Sequence, residues 1–386
     1  MKHPDSTKIQ RTLNKAPGGT LLFMATGSGK THSALQLIER SLNEGKRAIY
    51  ITPLRAQAEE LLQSWSAIFK EFKVGIYTGD YSDTKLPVAF RDAQLLIMTP
   101  ERLDACTRFW RNHWGWIPHA ELLVIDELHL LGDGYRGGRL EGAISRYRRL
   151  NPFVRIVGLS ATLGNPKQIA EWLQIKLYQS KWRPIPLEWE ITRFKNAQEK
   201  LPLLASQLKI TQARTLVFVQ SRRRAEQVSK ELSLQGINSN YHHAGLTKQH
   251  RLEIETSFRD HKLDALVTTP TLEMGVNLPA GHVVLYDLQQ FNGESFQPLS
   301  CISAWQRAGR AGRPGLDTQS KVTLIAAQWD KHANNYEEGK FENIESGLKR
   351  PSVLAEQIVA EVSAGYAKTE KQLLRNLSFY FGSKQN

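Results

Sequence analysis

Two short stretches of this chain hold residue types that belong together chemically. "ATGSGKT", residues 25–31, follows an apolar run and opens a segment with helical periodicity. Glycines there let backbone amides turn inward on a bound anion, and a helix N-terminus adds the positive end of its dipole. Ala25, Thr26, Gly27, Ser28 and Gly29 would cradle the phosphates of a nucleotide. Lys30 would reach its β- and γ-phosphates, and the Thr31 hydroxyl would hold Mg2+. The strict G-x-x-x-x-G-K-[ST] spacing is not met, because Met24 stands at the first glycine position. A GSGKT string in an ordinary surface loop would lack the strand before it and the helix after it.

The second stretch is "VIDELHLL", residues 124–131, where Asp126 and Glu127 end an apolar run with no basic neighbour. Adjacent carboxylates at the edge of a core are costly unless a cation meets them. Beside a phosphate cradle, an Asp at the end of a second parallel strand faces the phosphate-bound metal. Asp126 would then join Thr31 on Mg2+, and Glu127 would act as general base on the attacking water. A lone "DE" is commonly an exposed turn; the cradle in the same chain argues for the metal.

Such residues need a scaffold of strands and helices in alternation. "TLLFMA" (20–25), "AIYI" (48–51), "LLIM" (95–98), "LLVI" (122–125) and "RIVGLS" (155–160) predict strands, with helical patterns between them. "TLVFV" (215–219), "ALVTT" (265–269), "VVLYD" (283–287) and "KVTLIA" (321–326) repeat the theme. Alternation of this kind implies two α/β domains, each with a parallel sheet covered on both faces. Residues 176–195, with two prolines and no helical period, read as the linker and the first strand of the second domain. "PSVLAEQIVAEVSAG" and "TEKQLLRNLSFYFG" near the C-terminus read as two amphipathic helices without a strand between them. The expected division is 1–183, 184–345 and a helical extension over 346–386.

Composition sets the partners. The 386 residues carry a formal charge of +13, which points to a polyanion, nucleic acid before membrane. Only Cys106 and Cys301 occur, far apart, which excludes a disulfide framework and a CxxC zinc site and fits a reducing cytosol. Neither a signal peptide nor an apolar run of bilayer length is present, so the expected location is cytoplasmic, without membrane association.

"DELH" together with "ATGSGKT" resembles the superfamily-two nucleic-acid helicases, and further segments follow in that family's order. "TPLRAQAEE" (52–60) and "MTPERLD" (98–104) look like its two strand-gripping segments in the first domain, and "SAT" (160–162) like its coupling element. "VFVQSRRRAE" (217–226), "HHAGL" (242–246), "TTPTLEMGVNLPA" (268–280) and "QRAGRAGRPG" (306–315) look like the motifs of its second domain. "DELH", "HHAGL", "GVNLPA" and "GDGYRGGRLE" (132–141) are most similar to the Ski-type and HelQ-type branch, above all the HelQ-type DNA repair helicases. The resemblance implies tandem RecA-like P-loop domains, ATP and Mg2+ as cofactors, and a single-stranded or tailed nucleic acid as partner, DNA before RNA. It also implies movement from 3′ to 5′. HelQ-type proteins continue into a full winged helix and a helical bundle, whereas residues 351–386 suffice for only part of a winged helix.

The same resemblance assigns residues. Arg310 and Arg313 would be fingers on the γ-phosphate, with Gln306 near the nucleotide and Gly275 among the nucleotide-binding positions. The four- and three-residue intervals of Gln306, Arg310 and Arg313 would put all three on one helical face. Thr52, Pro53, Arg55, Thr99, Arg102, Gln220, Ser221, Arg222, Thr268 and Thr269 match strand-contact positions, mostly to phosphate. His129 would bridge the acids to "SAT" through Ser160 and Thr162. Gln10 is the candidate for reading adenine, and Glu273 stands where the family has a small residue. "FNGES" carries an Asn-Gly turn signal flanked by Phe291 and Phe296, at the place of the family's duplex-wedging hairpin. An RNA helicase of the Ski type and a binding remodeller with little unwinding are the alternatives. Intact Lys30, Thr31, Asp126, Glu127, Arg310 and Arg313 weigh against an inactive ATPase. Protein partners are not legible in the sequence.

Overall fold

The computed structural model describes residues 4–79, 90, 92–111, 114–211, 213–270, 278, 280–291, 295–312 and 320–385. The chain divides into two compact units, one built on the residues up to Ala25, Gly29–Lys181 and the segment from Asn343 onward, the other on Trp182–Glu342. Gly275, Glu273, Arg313 and the Asn292–Gly293 turn lie outside the described residues.

The sheet of the first unit holds β1 (Gly19–Met24), β2 (Arg47–Ile51), β3 (Val74–Tyr77), β4 (Leu95–Met98), β5 (Ala120–Ile125), β6 (Arg155–Ser160) and β7 (Lys176–Ser180). Their order is β3-β4-β2-β5-β6-β1-β7 and every pairing is parallel. The inner strands are apolar along nearly their whole length because helices cover both faces. On one face Ile9 and Leu13 of helix Ser6–Lys15, Leu37 and Ile38 of helix Lys30–Asn43, and Trp65 of helix Arg55–Ile68 pack on β-strand side chains. Parallel pairing brings the C-terminal ends of β1, β2 and β5 to one edge, where the loops carrying the chemistry emerge.

The second unit holds β8 (Glu188–Phe194), β9 (Thr215–Phe218), β10 (Ser239–His242), β11 (Ala265–Thr268), β12 (His282–Leu285) and β15 (Lys321–Ala327), in the order β10-β11-β9-β12-β15-β8 and again all parallel. Two cores, one on each face, seat its helices. A separate antiparallel hairpin joins β13 (Gln289–Phe291) to β14 (Phe296–Pro298), with Phe291 opposite Phe296. Residues 176–195 contain two edge strands, β7 on the first sheet and β8 on the second.

The C-terminal segment does not stand apart as an extension. From Asn343 it packs into the first unit, and its described residues form helices Pro351–Ser363 and Glu370–Leu377 and no strand. Asn165 pins its start, accepting from the Ile344 amide at 2.7 Å and donating to the Ile344 carbonyl at 3.0 Å. Helix Pro351–Ser363 lies so close to helix Gly134–Leu150 that a Cβ on Gly138 would sit 2.2 Å from Val353 Cγ1. Polar contacts then lock the two together. Buried Arg146 pairs with Asp104 and donates to Gln357 Oε1 (3.0 Å) and the Tyr380 hydroxyl (3.1 Å). Arg149 pairs with buried Glu361, which also accepts from the Tyr380 hydroxyl at 2.8 Å. Glu141 accepts from Ser346 Oγ at 2.6 Å and from the Gly382 amide at 2.9 Å.

Burial pushes the Glu141 carboxyl up to about 7 against the two hydrogen bonds that favour its charge. The folded chain therefore keeps a proton that the unfolded chain releases above its ordinary carboxyl value. That contribution to stability is complete below about 4.5 and is lost as pH rises to about 7. Glu141→Gln keeps the shape without the titration. Its Tm should match the parent near pH 4.5 and exceed it at pH 8, read by thermal unfolding at both pH values; equal midpoints at pH 8 would refute this account of Glu141.

Candidate active site

The loop after β1 turns on Gly27 (φ 78) and Gly29 (φ 94), and helix Lys30–Asn43 begins at once. Positive φ at these positions is the backbone that a phosphate-facing loop needs and that glycine adopts without strain. Lys30 Nζ donates to the carbonyls of Met24 (2.9 Å) and Ala25 (3.0 Å), which holds the ammonium over the loop. Ser28 Oγ is buried with no hydrogen-bond partner, a polar atom inside the cradle that a bound oxyanion would satisfy. Gln10 lies against the same helix, donating to Ser33 O (3.3 Å) and Gln36 Oε1 (2.6 Å).

Asp126 leaves the end of β5 and is buried. Tyr50, from neighbouring β2, donates its hydroxyl to Asp126 Oδ2 at 2.7 Å; the Glu127 amide donates to Oδ1 at 2.9 Å. Burial, with the Glu127 charge beside it, pushes the Asp126 carboxyl up to about 6, while the Tyr50 bond and the Lys30 charge pull the other way. Burial and the Asp126 charge raise the Tyr50 phenol well above its ordinary value, so it stays a donor. The same phenol meets the Thr31 side chain, and its ring packs edge-on to Trp65 with centroids 4.8 Å apart. Thr31 and Asp126 are thus held about one buried hydroxyl.

These groups suit Mg2+. No cluster of three or more His, Cys, Asp or Glu forms a cage among the described residues. Mg2+ is commonly held by one or two carboxylates together with substrate phosphates and waters. A hydroxyl from Thr31 and one oxygen of Asp126 are that kind of partial set.

Glu127 has φ 49 and ψ 52, a left-handed conformation uncommon for a residue with a side chain. The turn sends its carboxylate outward, more exposed than that of Asp126, as a group meeting a water requires. His129 Nδ1 lies 3.3 Å from Glu127 Oε2, an ion pair when the imidazole is protonated. In "SAT" the Thr162 amide contacts Ser160 Oγ at 3.4 Å, closing a small turn, and both side chains are buried.

The expected strand-contact residues fall into two groups by exposure. Arg55, Ser221 and Arg222 reach solvent. Thr52, Thr99, Thr268 and Thr269 are buried, and Thr268 Oγ1 donates to Thr269 O at 3.0 Å. The Pro53 carbonyl accepts from Arg136 (2.6 Å), and Arg102 donates to Thr78 O (3.0 Å) and the Tyr77 hydroxyl (3.1 Å). Ser221 caps helix Arg222–Leu234 by accepting from the Arg224 amide, and the Gln220 amide donates to Asp287 Oδ2 (3.2 Å).

Gln306 lies on helix Cys301–Ala308, which ends two residues before Arg310. The expected single helical face therefore does not form. Gly309 caps the helix, Arg310 sits in the turn beyond it, and Gly312 takes φ 67. Between Gln306 and Arg310, Arg307 is buried over the Phe218 ring and anchors the turn to the core. Two residues that shape the site carry no sequence signal of their own: Tyr50 reads as part of an apolar strand, and Gln57 as one polar residue of a helix.

Comparison with known proteins places this geometry. Residues 7–169 match the DEAD/DEAH box helicase family and residues 198–315 match the helicase conserved C-terminal domain. The chain is 31% identical to the ATP-dependent DNA helicase Hel308 of Thermoplasma volcanium, with 92% of this chain and 57% of that protein aligned. It is 32% identical to Hel308 of Pyrococcus horikoshii (89% and 53%) and 30% identical to Hel308 of Methanococcus vannielii (100% and 59%). The chain spans less than three-fifths of the length of these relatives.

Tyr50→Phe removes the hydroxyl and keeps the ring on Trp65. A hydrogen bond to a charged group contributes about 1.5–3 kcal/mol, so affinity for a nucleotide with Mg2+ should fall roughly tenfold or more. Titration with a fluorescent nucleotide at several Mg2+ concentrations tests this; unchanged affinity would confine Tyr50 to packing.

Proposed function

The chain belongs to the DEAD/DEAH-box helicases of superfamily two, on their Hel308/HelQ branch, and from that premise we propose that it is a nucleic-acid-dependent ATPase that moves along single-stranded DNA. The observation that carries the proposal is the joint position of Lys30, Thr31, Asp126 and Glu127 at one end of one parallel sheet, with Tyr50 joining the threonine to the aspartate. Mg2+, when bound with ATP, would neutralise phosphate charge. Thr31 and Asp126 would hold it, Lys30 would meet the β- and γ-phosphates, and Glu127 would take the proton of the attacking water. His129, 3.3 Å from Glu127, orients that carboxylate. Arg310 and Arg313 are the proposed source of positive charge on the departing phosphate, and Gln306 and Gly275 the proposed second-unit contacts to the nucleotide.

DNA is favoured over RNA because the relatives are named DNA helicases; the excess of thirteen positive charges suits the phosphates of either. Polarity from 3′ to 5′ follows from the branch. The hairpin of β13 and β14 supports strand separation: Phe291 and Phe296 are both more than half exposed, with ring centroids 5.4 Å apart. Exposed paired aromatics at a hairpin are suited to stack on the last base pair of a duplex.

Steady-state ATPase with single-stranded DNA and RNA of matched length tests the substrate; DNA should stimulate more, and greater stimulation by RNA would replace this reading with the RNA one. Glu127→Gln should bind ATP as the parent does and lose turnover by two or more orders of magnitude; parental turnover would remove Glu127 from the role of base. Replacing residues 290–296 by a Gly-Ser turn should abolish unwinding of a tailed duplex while DNA-stimulated ATPase remains. Parental unwinding by that variant would place the wedge elsewhere.

A further inference from the structure

Gln57 is bonded at both ends of its amide. Its Oε1 accepts from Thr52 Oγ1 at 2.5 Å, and its Nε2 donates to Asp126 Oδ2 at 3.4 Å. Thr52 directly follows β2 and is fully buried, so its hydroxyl faces this amide rather than solvent. The backbones on either side bond to neighbouring strands: the Thr52 amide to Met98 O (3.0 Å) and the Asp126 amide to Ile51 O (2.8 Å). The same turn is held from its other side. Arg136 donates to Pro53 O at 2.6 Å and to Glu101 Oε1 at 2.7 Å, and Arg136 belongs to the helix that follows the acids. The turn after β2 is thus linked to Asp126 through Gln57 and to helix Gly134–Leu150 through Arg136.

An apolar side chain would fill the Gln57 position at less desolvation cost, so a half-buried amide with both ends paired calls for a reason. The Asp126 carboxylate has about four lone-pair sites. Tyr50 and Gln57 both donate to Oδ2, and the Glu127 amide takes one site on Oδ1. The free site left on Oδ1 is the one available to a cation.

We infer that Gln57 is a positioning residue through which the Thr52–Arg55 turn reports nucleic-acid binding to Asp126, orienting the carboxylate for the nucleotide-bound cation. The inference rests on the strand-dependent ATPase reading above and adds the residue through which coupling runs. A strand phosphate drawn to Arg55 shifts the turn, Thr52 moves with it, and the Gln57 amide passes the shift to Oδ2. Linkage requires the converse, that nucleotide binding changes strand affinity by the same factor.

The test measures affinity for a fluorescent ATP analogue with Mg2+, with and without saturating oligothymidylate, in the parent, Gln57→Leu and Gln57→Glu. In the parent the two affinities should differ by roughly five- to 150-fold, the usual range for coupled sites. Gln57→Leu should bring the ratio to within about twofold of unity. Gln57→Glu, which keeps an acceptor for Thr52 but sets a second charge against Asp126, should also lose the coupling. A variant that only loosened the fold would weaken both affinities and leave their ratio alone, and that result would overturn the inference, as would parental coupling in both variants. Absence of oligothymidylate binding or of ATP turnover in the parent would instead defeat the helicase reading beneath it.

Discussion

Two carboxylates side by side at the end of a buried strand are the constraint around which this molecule is arranged. Asp126 cannot be withdrawn from water beside Glu127 without donors and a positive charge to meet it. Tyr50 supplies the strongest donor, Lys30 a positive charge, and Gln57 a weaker second donor to the same oxygen. Each comes from a different element: Tyr50 from β2, Lys30 from the start of helix Lys30–Asn43, Gln57 from the first turn of helix Arg55–Ile68. Only a parallel sheet, with all its C-terminal strand ends on one edge, delivers the three to one point. Glu127 escapes the same burial by a left-handed turn that exposes its carboxylate. That backbone conformation is what separates a buried acid from a more exposed one one residue later.

Helix Gly134–Leu150 extends this arrangement away from the acids. Its first turns hold Arg136, which bonds the Pro53 carbonyl after β2; its middle holds Glu141 and Arg146, buried against the C-terminal segment. Glycine at Gly138 permits the close approach, and the buried charges make it specific. Removing one member of such a buried set leaves its partner uncompensated, at a cost of about 3–5 kcal/mol. The segment from Asn343 is accordingly a structural part of the first unit, although it follows the second in sequence.

In the second unit the decisive local fact is where a helix stops. Gly309 ends helix Cys301–Ala308 and Arg307 is buried on Phe218, so Arg310 is displayed from a turn with an anchored base. A turn of this kind sets an arginine's direction by backbone geometry, which a helical face would have set by periodicity alone.

The sequence by itself determined the inner strands and the chemical alphabet of the site. β4, β5, β6, β9 and β11 are readable because strands covered on both faces must be apolar throughout. Lys30, Thr31, Asp126 and Glu127 are readable because phosphate and metal chemistry restricts residue type and spacing. Edge strands β3, β7 and β10 escaped, since half-exposed residues such as those of "KLYQS" carry no continuous apolar signal. Tertiary structure decided the rest. Tyr50 and Gln57 became part of the site only when strand pairing set β2 beside β5, contacts 76 and 69 residues apart in the chain that no local pattern encodes. The C-terminal helices were legible as amphipathic, but amphipathicity says that a face is buried and not against what. The glycines and buried charges of helix Gly134–Leu150, with Arg108 and Trp172 beside them, supplied the answer.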